Sequence, residues 1–407
     1  MPAPIPVLFT HYGENWIRGS ERGLLDLLTH LDPRRVQPIV WCNGVAMAEA
    51  AKAAGFTTYR TEFEFYFDYG SPPFNVQRYW SFVRQGIELV RKHRIRLLHA
   101  NSAAPSQWLA PVARFLRQPL LAHLHSDYLR RSRYVFLLHQ SSLVVGVSRR
   151  VVDDFIRDGM DPRRTRVIYN GIDIDRFHPS AKASSGRELR RRLGIAENAV
   201  VISGIGSLIH RKGYDILIRA FRALGPVRDA HLLIVSDGPE RANLERLAAE
   251  LDVKRRVHFL GYFDELGAVY NASDITALAS RAEAFGAVLA EAGFFAIPTV
   301  STTVGGIPEV VEHEASGLLV PPDDPQSFAA ALSRLIDDPS YRLKLGTAAK
   351  KRAESTFTVD RLAANFHETY ERLVNLPRYR FGWLDAAVNI RPYFRLLHSA
   401  TPKSLTL

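Results

Sequence analysis

The chain has 407 residues, 46% of them apolar and 23% charged, which excludes wholesale disorder and gives enough length for two domains of ordinary size. Its single cysteine, Cys42, excludes an intrachain disulfide framework and a cysteine-ligated zinc site, and fits a reducing compartment. The net charge is +11, yet Arg outnumbers Lys 44 to 9 and no nucleic-acid-binding module accompanies the basic residues, so nucleic acid is not an expected partner.

Short apolar runs alternate with longer amphipathic stretches along the chain. Val7–Thr10 reads as a strand, followed by a Gly-containing loop and a helix from about Ser20 to His30. Ile39–Cys42, Leu97–His99, Leu120–His125 and Leu143–Val147 repeat the rhythm. The polar stretch His178–Gly186 interrupts it and reads as a linker. Strands then resume at Val200–Gly204, His231–Ser236, Val257–Leu260, Ile275–Ala279 and Thr299–Ser301, with a helix at Tyr214–Leu224 after the first of them. Strands alternating with helices predict parallel sheets, hence an α/β fold of two doubly wound, Rossmann-like halves over residues 1–180 and 187–357. Ligands of such sheets bind at the carboxyl ends of the strands, so a cleft between the halves is expected. A final helix over 358–375 is expected to cross back to the N-terminal half. The tail, 376–407, mixes Phe381, Trp383, Tyr393 and Phe394 with four arginines. Its sequence leaves two places open, packing on the N-terminal half or lying on a membrane interface. The opening Met1-Pro-Ala-Pro-Ile-Pro has neither the basic nor the apolar region of a signal peptide, and no run of about 18 apolar residues occurs. A cytoplasmic protein is expected, at most attached to a membrane surface.

Three segments of the second half carry the chemistry. Glu283-Ala-Phe-Gly-Ala-Val-Leu-Ala-Glu291 follows a strand and leads into a helix beginning near Gly286. The first amides of that helix, at Phe285, Gly286, Ala287 and Val288, form a partial positive end suited to diphosphate or sugar hydroxyls. Gly305-Gly-Ile-Pro-Glu309 follows the next strand, where a Gly pair permits a tight turn and close backbone approach. Gly206-Ser-Leu-Ile-His-Arg-Lys-Gly213 joins the first strand of this half to its helix and can deliver Lys212, with Arg211, to phosphate. Each segment alone also reads as an ordinary solvated loop or helix end. In the first half, alternation puts His123 and His125 on one strand face, with His125 as the last strand residue and hence at the edge of the cleft.

Taken together and in order, these segments resemble retaining glycosyltransferases of the two-domain GT-B fold, the large group numbered family 4. Glu283 and Glu291 match the E-x7-E motif with its EAFG opening, Lys212 matches the donor-phosphate lysine, and Gly305–Glu309 match GGIPE. Val167-Ile-Tyr-Asn-Gly-Ile-Asp173 with Phe177 is similar to the stretch that precedes the interdomain linker, and Gly19-Ser-Glu-Arg22 to the N-terminal loop. The resemblance implies that Lys212 neutralises a leaving diphosphate, Glu291 binds ribose hydroxyls and Glu283 the transferred sugar. It also implies that the backbone around Phe259–Tyr262, including Gly261 and Tyr262, lines the base pocket. Gly19 would let the first loop touch phosphate, and His125 would sit near the reacting carbon. Two positions depart from the pattern. Ser207 stands where the family places Arg, with Arg211 or His210 as its substitute, and Arg18 replaces the first Gly of the N-terminal pair.

The activity this implies is retaining transfer from a UDP- or GDP-linked sugar to a glycan or lipid-linked acceptor, in surface polysaccharide or glycolipid synthesis. No cofactor or metal is expected: Asp323-Asp324, flanked by prolines, is a surface turn and not a ligand set. The acceptor falls to the basic half, where residues 78–133 carry 11 basic and 2 acidic side chains. Eight aromatics precede or enter that run, Phe63, Phe65, Tyr66, Phe67, Tyr69, Phe74, Tyr79 and Trp80. Packing accounts for them, or else sugar stacking or contact with an anionic membrane surface does. A nicotinamide oxidoreductase is disfavoured because Gly204-Ile-Gly206 lacks the third glycine and the acidic residue about 20 positions on. A GT-B epimerase or phosphorylase, or a non-catalytic nucleotide-binding relative, is the alternative.

Overall fold

Parallel strands covered on both faces are unbroken apolar runs, and the runs of this chain fold that way. The computed structural model describes residues 3–177, 183–226 and 229–377, and these fall into two units. The first comprises the chain up to Gly171 together with the segment from Val359; the second is Ile172–Thr358. The tail from 378 and the start of the expected linker, 178–182, lie outside the described residues.

The first unit holds β1 (Ile5–His11), β2 (Val36–Cys42), β3 (Thr57–Arg60), β4 (Leu97–Asn101), β5 (Leu120–Leu124), β6 (Leu143–Gly146) and β7 (Thr165–Val167). They form one parallel sheet in the order β3-β2-β1-β4-β5-β6-β7. The order reverses between β1 and β4, so the chain leaves that pair of neighbours in opposite directions and opens a crevice at their carboxyl ends. Register fixes what stands there: His11 of β1 pairs with Asn101 of β4, and Asn101 with His123 of β5. The core beneath joins Val7, Phe9, Leu97, Leu121 and Val145 to Leu24, Leu25, Leu27 and Leu28 of helix Gly19–His30. Helix Val359–Val374 completes this core with Leu362, Phe366, Tyr370 and Leu373.

The second unit holds β8 (Val200–Ile205), β9 (Ala230–Val235), β10 (Val257–Gly261), β11 (Ile275–Leu278), β12 (Thr299–Thr302) and β13 (Gly317–Val320). They are parallel in the order β10-β9-β8-β11-β12-β13, with the reversal between β8 and β11. Strands β3, β7 and β13 have no counterpart in the sequence reading. All three are sheet edges of three or four residues, too short to show a pattern. One expectation is corrected: β5 ends at Leu124, so His125 is the first residue beyond the strand. Among the described residues no helix is long and apolar enough to cross a membrane.

The aromatic segment of the first unit divides. Phe63 and Tyr66 are buried, with Phe63 against Trp108 and Trp41. Phe67, Tyr69, Phe74 and Trp80 are exposed, Tyr69 at 97%. Their rings continue one another from Phe67 to Phe74 (4.7 Å), Phe74 to Tyr79 (5.7 Å), Tyr79 to Trp80 (5.9 Å) and Trp80 to the exposed Phe115 (6.5 Å).

Candidate active site

In the second unit the chemistry gathers on the loops that leave β8 and β11, the two strands flanking the reversal. The loop after β8 closes with a short turn, His210–Lys212, and Gly213. Gly213 has φ +66°, and a Cβ there would lie 1.9 Å from the Ala279 carbonyl, so this glycine lets the β8 loop press onto the end of β11. A second contact of the same kind sets Glu283. Gly305 has φ +57° and a Cβ on it would lie 1.7 Å from the Glu283 carbonyl, which also accepts a hydrogen bond from the Gly306 amide at 3.0 Å. The two glycines bring Lys212 and Glu283 together: the Lys212 ammonium donates to the Glu283 carboxylate, both side chains being largely buried. Tyr214 lies beside them, its hydroxyl donating to the Gly206 carbonyl at 2.8 Å. Burial, with the Glu283 charge adding to it, pushes the Tyr214 phenol well up.

Helix Ala287–Phe294 begins four residues on, entered through Gly286 at φ +88°. Phe285 turns its ring into the core against Phe357, 5.6 Å away, so only its backbone is placed to serve a ligand. Ala287 and Val288 supply the first amides of the helix. Glu291, one turn in, is 6% exposed. Its Oε1 accepts from Arg176 at 2.5 Å and its Oε2 from the Tyr270 hydroxyl at 2.6 Å. Burial first, then the Glu291 charge, raises the Tyr270 phenol far above its ordinary range. Sequence reasoning missed Arg176: it stands between Asp173 and Phe177 of a motif it did quote, but its partner is 115 residues away.

The remaining donor-side candidates share this edge. Arg211 is exposed and donates to the Ala282 carbonyl at 2.9 Å, next to Glu283. Ser207 and Lys212 are half-buried on the same loop. Gly261 ends β10 with φ +68° and accepts from the Ser236 amide at 2.7 Å, while the side chain of Tyr262 is mostly in solvent. Among the described residues no group of three or more His, Cys, Asp or Glu is arranged to hold a metal ion.

In the first unit a chain of polar side chains fills the crevice at the reversal. Glu21 Oε1 is 3.1 Å from His11 Nε2, Asn101 Nδ2 is 2.9 Å from His11 Nδ1, and Asn101 Oδ1 is 2.9 Å from His125 Nε2. His11, Glu21 and Asn101 are buried and His125 is half-buried. Burial pushes the Glu21 carboxyl up, but the hydrogen bond and charge of His11 outweigh it and hold it below its ordinary value. His125 is pulled down to about 3 by burial and then by His11. Its ring lies 4.2 Å from that of His123, on the shared face the alternation predicted. Gly19 opens helix Gly19–His30, and a Cβ there would meet nothing within 4 Å, so the space above it is open. Arg18 lies over the Trp16 ring at 4.4 Å. Sequence reasoning quoted Glu21 without a role and missed His11 and Asn101. Their signal was a polar residue closing an apolar run, in LFTH and LLHAN.

Two parallel α/β units with polar side chains gathered at each reversal point form the GT-B class of architecture, and solved structures agree. The Anabaena protein Alr3699/HepE in complex with UDP matches with a TM-score of 0.79 at 25% identity, over 91% of this chain and 100% of that one. A glycosyltransferase from Rickettsia africae matches with a TM-score of 0.81 at 19% identity, over 92% and 100%. The family model "Glycosyltransferase Family 4" matches residues 17–176, and "Glycosyl transferases group 1" matches residues 185–352. The chain belongs to the GT-B glycosyltransferases, with a family 4 domain followed by a group 1 domain. The D-inositol 3-phosphate glycosyltransferase of Salinispora arenicola is 36% identical over 247 residues, which are 57% of this chain and 55% of the relative. The N-acetyl-alpha-D-glucosaminyl L-malate synthase of Bacillus anthracis is 27% identical over 294 residues, 70% and 76% of the two chains. The match to the Salinispora relative thus spans little more than half of its length.

Proposed function

We propose that the chain transfers a sugar, with retention of configuration, from a UDP- or GDP-linked donor to a glycan or lipid-linked acceptor, in surface polysaccharide or glycolipid synthesis. The observation that carries this reading is the Lys212–Glu283 pair at the reversal of the second sheet, beside the amino end of helix Ala287–Phe294. That combination offers one cation and a set of amides to a diphosphate, and a carboxylate to hydroxyl groups. The HepE structures, which hold UDP, UDP with glucose, and UDP-glucose, support a nucleotide-sugar donor.

In the proposed reaction Lys212 stabilises the departing diphosphate, with Arg211 supplementing it where Ser207 offers no charge. Glu283 and the amides of Phe285, Gly286, Ala287 and Val288 hold sugar and phosphate. Glu291 takes the ribose hydroxyls through the lone pairs that Arg176 and Tyr270 leave, and Gly261 and Tyr262 border the base. Gly19 admits the phosphates at the first loop, and His125 acts near the reacting carbon. The bond from the anomeric carbon to the diphosphate breaks on the face where the acceptor oxygen bonds, and the acceptor's proton passes to the departing phosphate oxygen. Electrostatic stabilisation of that leaving group is then the main contribution to rate. With Lys212 carrying the charge of the diphosphate the proposed reaction uses no metal ion, and EDTA should leave turnover unchanged. Phe67, Tyr69, Phe74, Trp80 and Phe115 form an exposed aromatic band in the basic half, with Arg131 hydrogen-bonded to the Phe67 carbonyl at 2.8 Å. We assign this band to the acceptor's lipid or to peripheral contact with the inner face of the cell membrane. Full recovery in the supernatant with anionic vesicles at low salt would remove the membrane contact.

The test is thermal unfolding with UDP, GDP, ADP or NAD at about 1 mM each, followed by turnover with the sugar nucleotide of whichever base binds. A ligand at about 100 times its dissociation constant adds roughly 2.7 kcal/mol. A shift with UDP or GDP, and an α-linked product from an α-linked donor, support the proposal. Isomerisation or phosphorolysis of the donor without acceptor would mean an epimerase or phosphorylase. Binding without any turnover would mean a non-catalytic relative, and a shift with NAD alone would overturn the donor site.

A further inference from the structure

The polar chain of the first unit has a direction, and the direction determines the form in which His125 meets a ligand. The Asn101 amide has one donor end and one acceptor end. Its Nδ2 lies 3.3 Å from the Ser20 carbonyl oxygen, which only accepts, as well as 2.9 Å from His11 Nδ1. Turning the amide over would set two acceptor oxygens against each other at Ser20. The amide is therefore held with Nδ2 toward helix Gly19–His30 and Oδ1 toward His125. This holds with His11 protonated on Nε2 alone, where its bare Nδ1 accepts from Nδ2; a second proton on Nδ1 would go to the Asn101 carbonyl oxygen 3.0 Å away and set a donor against Nδ2. An acceptor at 2.9 Å from His125 Nε2 requires the proton on Nε2.

The surroundings keep this arrangement rigid. Glu21 accepts from His11 Nε2, and the backbone of Gly13 lies over the pair so closely that a Cβ would be 2.3 Å from Glu21 Oε1 and 2.5 Å from His11 Nε2. Gly13 is itself clamped by Asn43, whose side chain accepts from its amide at 3.0 Å and donates to its carbonyl at 2.7 Å. Beneath His125 lies the ring of His123, buried, with neither nitrogen bonded to any described residue, and Phe366 packs against that ring at 4.9 Å. His123 offers no competing hydrogen bond.

We infer that Asn101, oriented by Ser20 and His11, is a positioning residue that fixes His125 as the Nε2–H tautomer, so that His125 receives its ligand through Nδ1 as a hydrogen-bond acceptor. The group it takes is a donor, a hydroxyl or an ammonium, and not a phosphate or carboxylate oxygen. The assignment of that hydroxyl to a sugar or an acceptor rests on the transferase reading; the tautomer does not.

The test needs no substrate. Long-range 15N–1H correlation spectra of the full chain labelled on its 14 histidines report the tautomer of each ring directly. The His125 signals are assigned by their loss in His125→Gln. The expected result is a protonated Nε2 and a bare Nδ1 for His125 at neutral pH. Asn101→Ala should release it to a mixture of tautomers. A protonated Nδ1 in the wild-type protein overturns the inference, even if Asn101→Ala does not fold. So does an unchanged tautomer in Asn101→Ala. If the spectra agree and no nucleotide sugar is turned over, the transferase reading fails and the positioning role stands.

Discussion

Replacing Lys212 by Met separates two roles that the Lys212–Glu283 pair combines. The pair is mostly hidden from solvent, with side chains 15% and 11% exposed. Removing the cation leaves Glu283 as an unpaired carboxylate with little water around it. Breaking a fully buried pair costs about 3–5 kcal/mol, and the residual exposure here lowers the expectation to about 2–3 kcal/mol. Turnover should fall for a different reason. One preorganised charge aimed at a leaving group contributes about 2–4 kcal/mol of barrier, a loss of roughly 30-fold to 1,000-fold in kcat. The double variant Lys212→Met with Glu283→Gln removes the stranded charge, so stability should return to within about 1 kcal/mol of wild type while turnover stays low. Urea unfolding midpoints and single-turnover rates measured on the wild type, Lys212→Met, Glu283→Gln and the double variant complete the cycle. Wild-type turnover in Lys212→Met would refute the role on the diphosphate. Recovery of turnover together with stability in the double variant would show that Lys212 serves the fold alone.

Gly305→Ala forces a side chain into a left-handed backbone and against the Glu283 carbonyl, 1.7 Å from where its Cβ would sit. The backbone cost of about 1–2 kcal/mol and an overpacking cost of about 1–3 kcal/mol should lower stability and abolish the nucleotide-induced shift, both read by thermal unfolding. Tyr270→Phe removes the donor to Glu291 Oε2 and should cost about 1–3 kcal/mol in urea unfolding, with Phe filling the same space. Acid should destabilise the first unit early. Burial lowers His99 and His125 to about 3 and drives His123 down as well, so below about pH 6.5 the unfolded chain binds protons that the folded one refuses. Stability from these rings is complete above pH 6.5 and is lost progressively as pH falls toward 3. His123→Leu, at a ring without a hydrogen bond, should reduce the slope of stability against pH by up to one proton, about 1.4 kcal/mol per pH unit. An unchanged slope would mean that His123 is already protonated in the folded state.

The sheets were legible wherever a strand is central. Val7–Thr10, Leu97–His99 and Val200–Gly204 lie inside observed strands because central parallel strands are apolar throughout. Strands β3, β7 and β13 were not, because an edge strand of three or four residues is specified by its one neighbour and not by its own composition. The donor-side residues were legible for a related reason. Lys212, Glu283 and Gly305 each sit just past a recognisable strand, and loops past strands are where this topology gathers chemistry. What the sequence hid were partners remote along the chain. Nothing local marks Arg176 as the counter-ion of Glu291, and nothing local joins His11 to Asn101 across 90 residues. Both pairings exist because elements remote in the chain are neighbours in space, two strands for His11 and Asn101, a short 3-10 turn and a helix for Arg176 and Glu291. The placement of His125 was off by one residue as well: the ladders of β5 end at His123 on one side and Leu124 on the other, and His125 is tied to the sheet through its side chain, to Asn101.

Both carboxylates of the E-x7-E segment are held by cations from outside it, Glu283 by Lys212 and Glu291 by Arg176. A ligand that enters must therefore share or exchange these partners, and charge decides which ligands can. The Lys212 ammonium has three donors and can bond a phosphate oxygen while keeping Glu283. An incoming diphosphate gains a charge-assisted bond there, about twice as strong as one between neutral groups. A nucleoside without phosphate has nothing to offer Lys212 and binds through base and ribose alone. UDP or GDP should then raise the unfolding temperature well above the effect of uridine or guanosine at the same concentration. The difference should shrink as salt is added, and should shrink further in Lys212→Met, where Arg211 and the helix amides are left to meet the phosphates. If the bare nucleoside shifts unfolding as far as its diphosphate does, the phosphates are bound nowhere near Lys212. The pair is then an internal ion pair of the second unit.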